Sequence, residues 1–294
     1  MEPRRILIVQ LRRVGDVLLT TPVVTNLRRR FPEARIDFLV EPPGDQVLQG
    51  HPGLDEVLRY DKSRPLAWLW QVRRRRYDWV VDLQGNPRTA LLTLASGAAV
   101  KAGFDFRGRG WAYGIKIPRS PVPKHIVQQK LDLLRALDVP CEAPELTLSL
   151  DRAERRQAEE FLRGQGSGPG APLIGLVPTH RRATRRWTAR GFAALADRVQ
   201  AAHGAKVVLF WGPGEEDQRD AVLRLMKTRP IVIPKIGLRG MAALLERCEA
   251  VVTNCNGPMH LAEAVGVPTL TIYGPTEPVI WNPGGPRQIG RAHV

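Results

Sequence analysis

Long apolar runs are missing from this 294-residue chain. No stretch reaches the roughly 18 apolar residues that a membrane-spanning helix needs, so a helical membrane anchor is not expected. Cysteine is scarce: Cys141, Cys248 and Cys255 are odd in number and widely spaced. That excludes a disulfide framework and a cysteine metal motif, and it fits a reducing cytosol. The opening MEPRRILIVQL reads as a strand whose apolar part is too short for a signal peptide, so a cytoplasmic location is expected. Low-complexity tracts are absent, and 43% apolar residues can fill a sizeable core, which argues against disorder. Acidic residues are few: 29 Asp and Glu stand against 44 Lys and Arg, a net charge of +15. The excess points to nucleic acid, an anionic membrane or a phosphorylated substrate as partner. Arginine dominates it, which favours forked recognition of phosphate. His, Asp and Glu are not spaced as a hydrolytic metal site, and no carboxylate pair of the glycosidase kind stands out.

What the chain does have is a dense unit over Thr253–Pro278. Ala250–Thr253 is a short apolar run ending in the turn Asn254-Cys255-Asn256-Gly257. Pro258 suits the first position of a helix, where its missing N–H costs nothing. Leu261, Ala262 and Val265 form an apolar stripe, Gly266 stops the helix, Pro268 blocks its continuation, and Thr269–Tyr273 is a second strand. The start of such a helix presents free N–H groups and partial positive charge, a natural seat for phosphate. His260 in the first turn can add a donor. Gly274-Pro275-Thr276 forms a further turn expected to lie near the first. Taken alone, the unit is equally an ordinary βαβ crossover.

The N-terminal portion shows the same alternation. Ile6–Val9 reads as a buried parallel strand. Leu11–Asp16 is a loop, Val17–Arg30 a helix begun or kinked near Thr20 by Pro22, and Ile36–Val40 a strand. The loop is not GxGxxG, so a dinucleotide site is not expected. Asp16 stays open between a helix N-cap and a general base at the carboxyl end of a strand. Arg73–Arg76 reads as a solvated helix end or a lipid-phosphate contact. Trp79–Leu83 leads into Gln84–Arg88. Beyond it, Arg107, Arg109, Lys116, Arg119 and Lys124 interleave with Trp111 and Tyr113, suited to single-stranded nucleic acid or a phosphorylated saccharide. Leu146–Leu150 reads as a short strand. The glycine-rich stretch Gly164–Pro172 is the expected linker, dividing the chain into 1–166 and 167–294. A second βα-rich half follows, which implies two doubly wound domains with a cleft. Its first strand, Leu173–Val177, leads into Pro178–Trp187, where Thr179 stands beside four arginines as an anion cradle or an exposed basic loop.

Asn254, Gly257, Pro258, His260, Ala262, Ala264, Gly266, Pro268 and Gly274-Pro275-Thr276 together resemble the C-terminal signature of the heptosyltransferases. These are the ADP-heptose:lipopolysaccharide glycosyltransferases of glycosyltransferase family 9. Cys255 and Asn256 depart from the family's Asp-Ser. Gly15, Asp16, Thr20 and Pro22 match a loop whose Asp is taken in the family as catalytic base. Gln10 stands where the family usually has a basic residue, with Arg12 or Arg13 as candidates to replace it. Asp82–Asn86 also fits the pattern. Arg185 takes the place of the lysine in the family's diphosphate-binding Lys-x-Trp, and Trp187 that of the tryptophan. Either Glu215 or Glu216 corresponds to the ribose-holding Glu, and Ile236 falls where an apolar side chain packs on adenine or belongs simply to the core.

The resemblance implies an α/β GT-B fold, two Rossmann-like doubly wound domains facing a central cleft. Residues 1–166 would bind acceptor and 167–294 nucleotide sugar. It implies an inverting, metal-independent enzyme without a cofactor that transfers heptose from ADP-heptose to a phosphorylated lipopolysaccharide inner-core acceptor. The enzyme would be cytoplasmic, with peripheral contact to the anionic inner membrane. Asp16 is then the catalytic candidate. Thr179, Arg185, Glu215, Glu216, Ile236, Cys255, Asn256, Gly257 and His260 are donor-binding candidates, and Arg12, Arg13, Asn86 and Arg88 acceptor-binding candidates. Given Cys255 and Asn256, a catalytically impaired nucleotide-sugar-binding module is the alternative. A nucleic-acid-binding protein is a weaker one, since no helix-turn-helix, RNP or zinc pattern occurs and no specific nucleic acid is expected. Cys255 is expected either as a reactive, low-pKa thiol at a helix start or as an inert buried filler. A family member normally continues past the Gly-Pro-Thr turn, and Ile289–Val294 is also the translation of a string resembling a sequencing adapter. A lost native tail and an unpacked end from about Gly284 are therefore expected.

Overall fold

The computed structural model describes all residues except Met1, 107, 109, 119, 121, 169, 171, 283–287 and 294, with the side chains of 288–293 also outside the description. The chain divides into two compact units, Met1–Ser149 and Leu150–Val294.

In the first unit the strands are β1 (Arg5–Val9), β2 (Arg35–Val40), β3 (Glu56–Arg59), β4 (Trp79–Asp82), β5 (Val100–Asp105) and β6 (Ile115–Pro118). They pair in the order β3-β2-β1-β4-β5-β6, all parallel. Buried on both faces, β1 is the continuous apolar run that a central parallel strand requires, with Ile6 to Val9 fully covered. The helices are α1 (Val14–Leu18), α2 (Thr21–Arg30), α3 (Pro65–Arg74), α4 (Pro87–Ala95) and α5 (Ile126–Arg135). The expected helix over Val17–Arg30 is two helices, broken at Leu19 and Thr20, with Pro22 in the first turn of the second. Leu146–Leu150 is not a strand. Its neighbourhood lies along α2, where Asn26 bonds the backbone of Glu142 and Ala143 and the Thr21 hydroxyl accepts the Thr147 amide. Those side chains satisfy the backbone that a strand would have satisfied in a sheet. Arg75 is not simply solvated. Its guanidinium grips Glu56 with two bonds of 2.8 Å, beside the buried Asp37 that also takes the Tyr77 hydroxyl at 2.7 Å. Of the basic residues expected around Trp111, Arg107, Arg109 and Arg119 lie outside the described residues.

The second unit starts earlier than the glycine-rich stretch suggests. Helix α6 (Arg152–Gly164) is opened by a reciprocal cap, Asp151 accepting the Glu154 amide and Glu154 accepting the Asp151 amide. It is tied to α9 (Leu238–Glu246) by Arg155 to Glu246 at 2.8 and 3.0 Å and by the Arg239–Glu154 pair. The division at Ser149/Leu150, rather than at 166/167, follows from that packing. The strands are β7 (Leu173–Val177), β8 (Lys206–Leu209), β9 (Ile231–Val232), β10 (Ala250–Asn254), β11 (Thr269–Tyr273) and β12 (Gln288–His293), in the parallel order β12-β11-β10-β7-β8-β9. The remaining helices are α7 (Ala189–His203), α8 (Glu216–Leu223), α10 (Gly257–Ala264) and α11 (Pro278–Trp281). The expected unpacked end falls partly outside the described residues. Where it does not, the expectation is corrected: Gln288–His293 continues the sheet beside β11.

Both sheets are open and doubly wound, and such sheets place ligands at the carboxyl ends of their strands where the strand order reverses. That point lies between β1 and β4 in the first unit and between β10 and β7 in the second. No described helix is long and apolar enough to cross a membrane.

Candidate active site

In the first unit the loops after β1 and β4 flank the switch point, and the Arg12 amide bonds Gln84 Oε1 across it at 3.0 Å. Asp16 lies in the first turn of α1, not at its N-cap. Its Oδ2 accepts the Arg13 amide at 3.1 Å, and the side chain is partly exposed. A carboxylate there gains from the free N–H groups and dipole of the helix start while staying accessible. Arg88 donates to Glu41 at 2.7 Å, and Arg12 approaches the other Glu41 oxygen at 3.8 Å. Two acceptor-binding candidates thus meet on a carboxylate after β2. Arg13 is exposed. Asn86 is the N-cap of α4, its side-chain oxygen accepting the Thr89 amide at 3.0 Å. That oxygen is committed to the helix. Asp82, at the end of β4, is fully buried and takes the amides of Gln84 and Gly85 at 3.0 Å and the Tyr113 hydroxyl at 2.7 Å. Burial pushes its carboxyl upward, against those hydrogen bonds.

In the second unit two asparagines stitch the switch point. Asn254, fully buried at the end of β10, accepts the Trp187 amide at 2.9 Å and donates to the Pro178 carbonyl at 2.8 Å. Asn256 caps α10 by accepting the Met259 amide at 3.2 Å and donates to the Thr179 carbonyl at 2.9 Å. Asn256 replaces the family's Ser with another good N-cap, so this departure keeps the helix start intact. The loop from Pro178 to Trp187 is pinned further by the His180 amide on Gln218 Oε1 at 3.0 Å. Gly274 completes the convergence: a Cβ there would lie 2.6 Å from the Thr184 carbonyl oxygen and 3.3 Å from Arg185 Cα. Only glycine lets the Gly-Pro-Thr turn come this close to the arginine loop.

Three donor candidates therefore assemble: Thr179, buried with its carbonyl on Asn256; Arg185, half-buried in the loop; and Gly257, the first residue of α10, where a Cβ would meet no atom within 4 Å. Among the described residues Arg181, Arg182, Arg185 and Arg186 have no carboxylate partner. Burial lowers the His180 pKa, and the charges of Arg185 and Arg186 add to it in the same direction. Glu215 folds back so that Oε2 accepts the Gly212 amide at 2.8 Å, and Glu216 opens α8. Ile236 is half-buried beside Gly240.

His260 is 4% exposed, and its Nδ1 lies 3.3 Å from Glu263 one turn on. Cys255 is not a low-pKa thiol. It is 7% exposed, packed with Met259 and Tyr273, and burial pushes its thiol up to about 11 against the nearby Arg185. Desolvation outweighs the helix start, and the inert reading holds. Sequence reading missed Glu41, Gln218 and Lys130. Lys130 left one signal: with Val127, Leu131 and Leu134 it completes a helical stripe at i, i+3, i+4 and i+7. Among the described residues, no group of three or more His, Cys, Asp or Glu is placed to hold a metal ion.

The model of glycosyltransferase family 9 (heptosyltransferase) matches residues 66–292. Lipopolysaccharide heptosyltransferase 1 of Pseudomonas aeruginosa is 30% identical, the match covering 99% of this chain and 82% of that protein. Lipopolysaccharide heptosyltransferase 3 of Escherichia coli is 26% identical over 92% and 83%. Among solved structures, the glycosyltransferase family 9 protein of Veillonella parvula superposes with a TM-score of 0.91 at 27% identity, covering 99% and 86%. E. coli heptosyltransferase WaaC with ADP-2-deoxy-2-fluoro heptose gives 0.75 at 25% identity, covering 98% and 92%.

Proposed function

This chain belongs to glycosyltransferase family 9, the heptosyltransferases, and on that premise we propose that it transfers heptose from ADP-heptose to a lipopolysaccharide core acceptor. The curated relatives are lipopolysaccharide heptosyltransferases, and WaaC has been solved with ADP and with an ADP-heptose analogue. The observation that carries the reading is the loop of arginines without carboxylate partners among the described residues, stitched by Asn254 and Asn256 to the start of α10. Such a loop is a seat for a diphosphate.

In the proposed reaction Asp16 takes the proton of an acceptor hydroxyl as that oxygen bonds to the anomeric carbon, inverting its configuration. The bond from that carbon to the β-phosphate oxygen breaks, and ADP leaves with one more negative charge. The Arg13 amide holds Oδ2 of Asp16, leaving Oδ1 to receive the proton. Arg185, its neighbouring arginines and the Gly257 amide stabilise the charge that develops on the diphosphate, a role that needs neither metal nor cofactor. Glu215 or Glu216 holds the ribose, with Ile236 against the adenine. Arg12, Arg13 and Arg88 receive the acceptor's phosphates.

The proposed location is cytoplasmic, with contact to an anionic membrane. The adjacent helices α3 and α4 expose Leu66, Trp70, Leu91 and Leu94, and Arg74 lies 4.3 Å above the Trp70 ring. Aromatic and apolar side chains beside arginines suit the headgroup region.

The test is ADP release by the purified chain supplied with ADP-heptose and a deacylated lipopolysaccharide core. Acceptor-dependent release is expected. ADP binding without turnover would overturn the enzyme in favour of the impaired binding module.

A further inference from the structure

Lys130 sits on α5 and is 3% exposed, an uncommon place for an ammonium. Its Nζ donates to Gln10 Oε1 at 2.7 Å and to Thr20 Oγ1 at 2.9 Å. Both partners pass the contact on. The Gln10 amide donates to the Arg12 carbonyl at 2.6 Å, and the Thr20 hydroxyl donates to the Asp16 carbonyl at 2.7 Å. One buried cation therefore grips both ends of the segment that carries Asp16, each time through a polarised pair of hydrogen bonds. Gln10 is also the position where the family resemblance puts a basic residue; here the positive charge arrives from α5 instead.

Burying an ammonium among neutral partners costs several kcal/mol. Among the described residues no carboxylate comes within ion-pair distance of Nζ. The ionisable groups whose field supports its charge are Asp16 on α1 and Asp82 at the end of β4, the latter bonded to Tyr113. A leucine or methionine would fill the α5 stripe without that cost, so packing alone does not account for a lysine here.

We propose that Lys130 is a positioning residue for Asp16, holding the segment from Gln10 to Thr20 at both ends and keeping a positive charge behind the carboxylate. The inference rests on Asp16 being the base. Desolvation brings the lysine down to about 8, with Asp16 and Asp82 opposing, so its charge is lost in mildly alkaline solution. The wild-type rate should then fall on the alkaline side as Lys130 loses its proton. Arginine cannot lose its proton in this range.

The experiment is the pH profile of kcat/KM for ADP-heptose and a deacylated core acceptor, measured on the full chain. Lys130→Met should lower kcat about 10–100-fold, as expected when a reacting group is displaced. Its alkaline fall should disappear with the lysine, and ADP affinity should stay within about twofold. Lys130→Arg should keep most of the rate and lose the alkaline fall. A Lys130→Met protein with the wild-type rate would overturn the proposal. So would a loss of rate with the wild-type alkaline fall retained, the mark of a merely structural lysine. If Lys130→Met does not fold, Lys130→Arg decides, and an alkaline limb unchanged from wild type counts against the idea. Wild-type turnover in Asp16→Asn would remove the base reading itself. An inactive Asp16→Asn beside a wild-type-like Lys130→Met would remove only this inference.

Discussion

The two units carry the same kind of sheet and treat charge in opposite ways. In the first, several described charges at the switch point are answered locally. Glu41 collects Arg88 and Arg12, the Asp16 carboxylate rests on the Arg13 amide, and Lys130 sits in the field of Asp16 and Asp82. In the second, Arg181, Arg182, Arg185 and Arg186 follow β7 without a carboxylate partner among the described residues. Its polar side chains serve instead to hold the loop: Asn254, Asn256 and Gln218 bond its backbone. On the proposed reading, the paired network holds Asp16 in place as base and the unpaired arginines hold a place for an anion.

The sharpest break in this comparison is Asp16→Asn. Removing the base should lower turnover by about two to four orders of magnitude, read as ADP release under saturating substrates. Turnover within a few-fold of wild type would place the base elsewhere. Arg185→Ala comes next. Losing a charge-assisted contact of about 1.5–3 kcal/mol should lower kcat/KM for donor by roughly 10–150-fold, with Arg185→Lys recovering part of it. An unchanged donor kcat/KM would mean that another arginine of the loop does the work. Asn254→Ala tests the stitching. It strands the Pro178 carbonyl and the Trp187 amide, and should cost about 1–3 kcal/mol of stability in a denaturant titration. A cost near zero would show that the loop is held by other contacts. The smallest effect is expected at Cys255. With its thiol pushed up to about 11, it should alkylate no faster in the native protein at neutral pH with or without ADP, and react readily only after unfolding. Fast native labelling blocked by ADP would restore the reactive thiol.

Much of the architecture is legible in the sequence because buried parallel strands read as uninterrupted apolar runs. Ile6–Val9 is one, while Ile36–Val40 and Thr269–Tyr273 come close, broken only by Asp37 and by Thr269 and Thr271. The strands of the first unit that escaped, β3, β5 and β6, lie toward one side or the other of its sheet. They mix in charge and glycine, as in Glu56-Val57-Leu58-Arg59. The domain boundary was misplaced for a related reason: glycine and proline mark a turn, but α6 belongs to whichever unit its Arg155 and Glu154 pair with, and that is a long-range fact. The motif around Asn254–His260 placed the strand, the tight turn and the helix start that follow one another there. It left Cys255 open between a reactive and an inert thiol, because burial decides that and spacing does not report burial. Asn256 shows the reverse. As a substitution it looks like damage, yet its cap and its bond to Thr179 keep the helix start in place. Lys130 was hardest to see, since a lysine on an apolar stripe is read by default as a solvated one.

Calorimetric titration of ADP into the wild-type chain, Asp16→Asn and Arg185→Ala tests the division of labour most directly. The account predicts equal ADP affinity in wild type and Asp16→Asn, the latter nearly without turnover, and a clearly weaker affinity in Arg185→Ala. A loss of ADP affinity in Asp16→Asn as large as that in Arg185→Ala would contradict it.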